Sequence, residues 1–178
     1  MDDFLHITAV WLHILGIALF VGPQFFLAFA WVPASRQIDD LPTRVQAMRT
    51  ITRRFGYIGG IGLVLIIGAG TYLISTWRDY YAAGDIGFTD IRFGVIFIIK
   101  MCVLLVMLAI VGVHMLITGP RQMRLMEARA AGQEVPEAEL RRVRMWSMAL
   151  SITGLLLTLI IMVMGVSLAT VEYSFKPS

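Results

Sequence analysis

Four long apolar runs, separated by more polar stretches, dominate the hydrophobic pattern of this chain. They cover approximately residues 5–32, 56–75, 93–118 and 145–170. Each run reaches the ~20 residues that a helix needs to cross a bilayer. The runs show hardly any polar stripe, which a helix of a soluble bundle would carry, and they lack the two-residue alternation of β-barrel strands. We therefore predict an all-α fold in which residues 1–178 form a single membrane domain, an integral membrane four-helix bundle.

Composition agrees with this pattern and narrows the classes of function. Hydrophobic residues make up 58% of the chain and charged residues 15%, whereas soluble domains carry ~25% charged residues. Cys102 is the only cysteine, which excludes a disulfide framework. The sequence contains neither a phosphate-binding glycine loop nor a dinucleotide fingerprint. We identify no catalytic residue, and nucleic acid is not an expected partner.

Arginine is concentrated in two of the polar stretches, residues 33–55 and 119–144. They hold Arg36, Arg44, Arg49, Arg53, Arg54, Arg121, Arg124, Arg129, Arg141, Arg142 and Arg144. The positive-inside rule makes both stretches cytoplasmic loops and places both termini on the outer, periplasmic side of a multi-pass inner (plasma) membrane protein. The loops either extend the spans, with arginines meeting anionic headgroups of the lipid bilayer, or form a docking surface. Gly132 and Pro136 are expected to break the second loop.

Depth along the predicted spans brings several polar residues into one layer of the outer leaflet. At ~1.5 Å per residue, His13 and Lys100 both lie ~12 Å inside the outer face. Met162 and Met164 lie ~9–12 Å inside it, and Tyr72 is slightly shallower. The sequence therefore predicts a site in this layer, with His13, Met162 and Met164 as metal or haem-iron ligands and Lys100 and Tyr72 lining it.

Lys100 and His13 are the residues of this layer that lipid tolerates least. A lysine deep in a span costs ~2.5–3.5 kcal/mol, and no span contains Asp or Glu to neutralise it. Its partners are backbone carbonyls, Tyr72, a water cavity or an anionic ligand group, unless the lysine snorkels to the interface. His13 either bonds between spans or binds a metal. His6 shares the helix face of His13 because the two are seven residues apart, so it either lines the site or is only interfacial.

Three further residues are weaker candidates. Met107 and His114 continue the helix face of Lys100 at seven-residue spacing, and Gln24 is the polar residue nearest to His114 in depth. We expect a structural or headgroup-facing role for His114. His13 and His114 differ in depth by ~20 Å, which is too far for both to bind one haem iron.

Small residues predict where the helices approach each other closely. Gly56 and Gly60 form a Gly-xxx-Gly pair at the start of the second span, for which close helix packing is the simplest explanation. The fourth span carries a small, weakly polar face that we expect to point into the bundle: Ser147, Ser151, Gly154, Thr158 and Gly165.

Several short motifs resemble a known family. They are Leu12-His13-Ile14-Leu15-Gly16 and Phe20-Val21-Gly22 in the first span, Arg53-Arg54-Phe55 and Gly70-Thr71-Tyr72-Leu73 around the second, and Phe93-Gly94 with Lys100 in the third. Over roughly three spans the chain resembles the bacterial copper-resistance D (CopD) domain and the related four-span HemJ-type proteins. The first resemblance implies copper handling at the inner membrane, and the second a membrane redox reaction with bound haem. In HemJ-type proteins the first-span histidine and third-span lysine are functional, and these match His13 and Lys100.

One departure from the HemJ pattern narrows what that resemblance implies. Gly22-Pro23-Gln24-Phe25-Phe26 stands where HemJ-type proteins carry a Leu–Pro–Arg–Leu stretch ending in His. The missing arginine and histidine argue against protoporphyrinogen oxidation.

The residues leave three hypotheses for the function. The first is an inner-membrane protein that binds copper, because imidazole with thioether suits copper(I). The second is a b-type haem protein for electron transfer or an oxidase-like reaction, with His13 axial and Lys100 paired with a haem propionate. The third is a non-catalytic subunit of a larger membrane complex or a homo-oligomer, with the arginine-bearing loops as its contacts.

Overall fold

The computed structural model describes residues 3–81 and 83–178, and helices dominate this part of the chain. Met1, Asp2 and Ala82, which the predicted domain of residues 1–178 includes, lie outside the described residues. Four helical segments are long and apolar enough to cross a membrane: Asp3–Ser35, Leu41–Ser75, Arg92–Ala130 and Glu137–Ala169. The all-α prediction is confirmed, and the four segments indicate a multi-pass membrane protein.

The chain divides into two compact units, Met1–Asp85 and Ile86–Ser178, each built on a helical hairpin. The first hairpin comprises α1 (Asp3–Phe25), a π-helical segment (Phe26–Trp31), α2 (Val32–Ser35), α3 (Leu41–Ser75) and α4 (Trp77–Tyr80). The second comprises α5 (Arg92–Val113), a π-helical segment (His114–Thr118), α6 (Gly119–Ala130), α7 (Glu137–Ala169) and α8 (Val171–Ser174).

Two glycines let the backbones of α1 and α3 touch in the first hairpin. A Cβ on Gly16 would lie 2.7 Å from the carbonyl oxygen of Gly62, and a Cβ on Gly62 would lie 2.8 Å from the backbone nitrogen of Phe20. These neighbours are backbone atoms, so no side chain fits at either position. Close packing therefore occurs at Gly62, whereas a Cβ on Gly60 would meet nothing within 4 Å.

Helix α3 begins well before the apolar run that predicted it. Asp40 caps its first turn by accepting a hydrogen bond from the backbone N–H of Thr43 at 2.9 Å. Hydrogen bonds from Thr43, from its side chain first and its backbone second, lower the pKa of the Asp40 carboxyl. Most of the arginine-bearing stretch predicted as a loop at residues 33–55 is thus helical.

The second hairpin also continues beyond its apolar runs. Its turn contains Gly132 at φ 77°, and Pro136 directly precedes α7, so the break falls at the predicted residues. Arg121 pairs with Glu139 at 2.7 Å and Arg129 with Glu137 at 2.8 Å, which joins α6 to the start of α7.

Backbone hydrogen bonds tie the end of the chain to the start of α5. The N–H of Arg92 donates to the carbonyl of Lys176 at 3.0 Å, and the N–H of Ser178 donates to that of Asp90 at 3.2 Å. Ile91 and Pro177 form an antiparallel bridge between these two bonds. The C-terminal residues therefore close the end of the second hairpin at which α5 begins.

Candidate functional site

His13 reaches from α1 to the backbone of α3. Its Nδ1 lies 3.1 Å from the carbonyl oxygen of Ile66. Because a carbonyl oxygen only accepts, Nδ1 carries the proton of the neutral ring. The lone pair that binds a metal is then on Nε2. The contact thus favours the tautomer of His13 that carries its proton on Nδ1.

Gly70 makes this contact possible. A Cβ at Gly70 would lie 3.2 Å from Cε1 of His13 and 3.4 Å from its Nδ1, so the imidazole packs against bare backbone. In an α-helix the carbonyl of Ile66 already accepts from the N–H of Gly70. Its second lone pair is available to the histidine. A Cβ at position 70 would require the ring to shift by a few tenths of an ångström, and a larger side chain would crowd it further.

His6 occupies a different environment on the same helix. Its residue is only 7% exposed, and its ring stacks on Tyr80 with 3.4 Å between centroids and 8° between planes. Among the described residues, its buried Nδ1 has no hydrogen-bond partner. Tyr80 in turn meets Tyr81 edge-on at 5.1 Å, and burial raises the pKa of Tyr81. His6 therefore acts in the first hairpin mainly as a packed ring.

We expect His6→Phe to keep or raise the stability of the protein. The substitution retains a ring to stack on Tyr80 and removes a polar atom whose unsatisfied burial costs ~1–3 kcal/mol. Thermal unfolding in detergent measures the effect, and Tyr80→Leu is the control that removes the stack and should lower the midpoint. A lower midpoint for His6→Phe would contradict an unsatisfied Nδ1 and would support the predicted role of His6 in lining the site.

Lys100 lies on α5, about two helical turns after the helix begins at Arg92. A Cβ on Gly165 of α7 would lie 3.5 Å from its Nζ, so the ammonium is next to a bare stretch of the neighbouring helix. Within residues 86–178, no carboxylate or hydroxyl forms a hydrogen bond with Nζ. The second hairpin thus holds a half-buried cation without an anion.

The two predicted methionine ligands lie on α7, within three residues of Gly165, the residue beside Lys100. Met162 precedes Gly165 by three residues, which places both on neighbouring positions of one helix face. It is 39% exposed, whereas Met164 is half-buried. Thioether sulfur is therefore available on the second hairpin near Lys100.

His114 is held by hydroxyl groups of its own hairpin. Its Nε2 is 3.1 Å from Oγ of Ser151, and its Nδ1 is 3.5 Å from Oγ of Ser147 and 3.3 Å from Oγ1 of Thr118. Both ring nitrogens thus have protein partners. Ser147 and Ser151 belong to the small face predicted on the fourth span.

The remaining candidates are placed as follows. Met107 is 3% exposed and packs in the second hairpin. Gln24 donates from Nε2 to the carbonyl of Phe20 at 3.1 Å, so its amide is engaged with its own helix. Tyr72 is half-buried near the end of α3, and its carbonyl accepts from the N–H of Thr76 at 3.1 Å.

The predicted residues divide between the two hairpins. His6, His13 and Tyr72 belong to the first, and Lys100, Met162 and Met164 to the second. Among residues 3–81 and 83–178, no three His, Cys, Asp or Glu side chains lie close enough together to hold a metal ion. The single outer-leaflet layer stays a prediction.

The sequence did not indicate the carbonyl of Ile66 or the role of Gly70 beside His13. The available signal was the depth of Gly70. It lies ~8 Å from the Ser75 end of α3 on a neighbouring span, not far from the level predicted for His13. A glycine near the level of an intramembrane histidine marks a place where the ring can meet backbone.

Comparison with known protein families, curated proteins and solved structures gives no match. The class is therefore defined by the fold and by these polar contacts. The described residues are mostly helical and include four segments long and apolar enough to cross a membrane, with a histidine bonded to a backbone carbonyl in one hairpin and a lysine beside Gly165 in the other.

Proposed function

We propose that this protein binds a redox metal within the membrane through Nε2 of His13, most simply copper. The hydrogen bond from Nδ1 of His13 to the carbonyl of Ile66 carries this proposal. Metal-binding histidines typically donate their other N–H to a carbonyl or carboxylate, which orients the ring and raises its basicity. At His114 the ring nitrogens instead lie beside the hydroxyls of Ser147 and Ser151.

Copper is favoured by the sulfur ligands that the chain offers. Met162 and Met164 stay the predicted partners of His13, and imidazole with thioether suits copper(I). The resemblance to the CopD domain implies the same metal and a role in copper handling or transport. In this proposal Tyr72 lines the site.

Haem b is the second candidate, and Lys100 favours it. Its ammonium lies beside Gly165 without a carboxylate partner in its hairpin, and a second cation nearby would be repelled. A haem propionate would supply the missing anion. His13 would then be the axial ligand of an electron-transfer or oxidase-like protein.

The proposal includes the orientation in the inner membrane. The arginines of α6, of the first half of α3 and of the start of α7 would face the cytoplasm. Both chain ends, and the end of α1 that carries His13, would then face the periplasm.

The test is the protein purified in mild detergent from copper-supplemented cells, with an affinity tag that contains no histidine. Elemental analysis measures copper per chain, and the absorption spectrum detects haem by its Soret band. We expect stoichiometric copper in the wild type and its loss in His13→Ala. His114→Gln is the matched control, because it alters a histidine of another predicted span, and it should keep the metal.

The outcomes separate the candidates. A Soret band that disappears in His13→Ala and weakens in Lys100→Gln replaces copper by haem. Equal copper in the wild type and His13→Ala overturns the role of His13. If neither copper nor haem co-purifies, the metal proposal is wrong. A stable partner recovered in the same preparation would then identify a subunit of a larger complex.

A further inference from the structure

An open cleft lies at the junction of the second π-helical segment and α6. Its volume is about 500 Å³, and it is lined by Leu116, Ile117, Arg121, Arg124 and Leu125. The π segment ends when the N–H of Gly119 bonds to the carbonyl of His114, five residues back. The arginines of the cleft therefore follow directly on its apolar residues.

The apolar wall of this cleft is exposed. Leu116 is 80% exposed and Ile117 is 60% exposed. Both belong to a helical segment long and apolar enough to cross a membrane, Arg92–Ala130. Side chains of this kind at the end of a membrane span contact acyl chains in preference to water. The wall thus fits the hydrocarbon part of a lipid.

The cationic side of the cleft is arranged by α7. Arg121 donates from Nη2 to Oε1 of Glu139 at 2.7 Å, which orients its guanidinium and neutralises its charge. Arg124, three residues later on the same helix, forms no ion pair with any described residue and is exposed. The cleft therefore keeps one unneutralised guanidinium, and guanidinium groups match the geometry of phosphate oxygens.

We infer that this cleft binds one anionic glycerophospholipid. The phosphate would contact Arg124, while an acyl chain would lie along Leu116 and Ile117. An unpaired arginine next to an apolar wall favours a lipid over free phosphate, because inorganic phosphate would make no contact with the wall. It favours an anionic lipid because a zwitterionic headgroup brings its own cation to the unpaired arginine. The proposal does not depend on His13 or on any metal.

The test is thermal unfolding of the detergent-purified, delipidated protein titrated with short-chain phosphatidylglycerol. Phosphatidylcholine of the same chain length and inorganic phosphate are titrated in parallel. We expect a saturable rise of the midpoint with phosphatidylglycerol and a much smaller one with the other two. Arg124→Gln should weaken the apparent affinity about tenfold, the loss of one charge-assisted contact.

Arg142→Gln is the matched control, since it removes the same charge from an exposed position outside the cleft. It should leave the titration unchanged. Equal weakening by the two substitutions would overturn the cleft in favour of general surface charge. An equal response to phosphatidylcholine would exclude headgroup selection, and saturation by phosphate alone at the same affinity would replace the lipid by a free anion. Native mass spectrometry of retained lipid gives a second measurement that does not require a shift in stability.

Discussion

Gly16→Ala should destabilise the first hairpin by ~1–3 kcal/mol, the usual cost of overpacking. The added Cβ would lie 2.7 Å from the carbonyl oxygen of Gly62 and 2.9 Å from the backbone nitrogen of Ile66. Neither atom belongs to a flexible side chain, so relief requires α1 and α3 to separate. The separation would also reduce packing along the rest of this helix pair. The midpoint of thermal unfolding in detergent measures the loss.

Gly22→Ala is the matched control on the same helix. A Cβ there would meet nothing within 4 Å, so the change tests only the helix propensity of alanine. The midpoint should stay constant or rise. Equal destabilisation by the two substitutions would show that the Gly16–Gly62 contact is not what holds α1 against α3.

If His13 binds the proposed metal, Gly70→Val should lower the affinity for it by ~10–100-fold, the range for loss of an outer-shell hydrogen bond. The valine would occupy the space of the imidazole, whose Cε1 is 3.2 Å from the position of a Cβ. The ring would turn away from the carbonyl of Ile66 and lose both its orientation and its selected tautomer. Competition with a copper(I) chelator under reducing conditions measures the change. A haem-bound protein would report the same change through its Soret titration.

Gly68→Val separates this effect from a general disturbance of α3. A Cβ at position 68 would meet nothing within 4 Å, and Gly68→Val makes the same change in size and helix propensity as Gly70→Val. It should bind metal like the wild type. If Gly70→Val also binds normally, the contact between His13 and Ile66 is structural only, and the proposed ligand role of His13 loses its main support.

The helical class was predictable because a helix that crosses a bilayer needs ~20 consecutive apolar residues, and soluble proteins seldom contain such runs. Helix ends were less predictable, since hydropathy does not mark where a helix stops. Asp40 starts α3 by capping it, fifteen residues before the apolar run begins at Gly56. The turn near Gly132 was predictable from the glycine itself, because glycine adopts a positive φ more easily than other residues.

The candidate site was predictable in its residue types but not in its contacts. Depth singled out His13 and Lys100 because a polar group in lipid is expensive. The sequence could not show that His13 bonds to a backbone carbonyl, since every residue has one and only packing selects Ile66. For the small face of the fourth span, the sequence also indicated where contacts with other helices would form. Ser151 meets His114, and Gly165 lies beside Lys100, because small residues allow close approach.

The π-helical segment at His114–Thr118 changes the phase of the helix that contains Lys100. Counting by sevens from Lys100 leads to Met107, His114 and then Arg121, which a regular α-helix would place along a line that drifts by only ~20° per heptad. A π turn takes up one extra residue, so every later side chain is rotated by about 100° from that line. Arg121 and Arg124 therefore do not continue the face of Lys100. Deleting a single residue from the segment should rotate the side chains of α6 by about 100° about the helix axis, back toward that face.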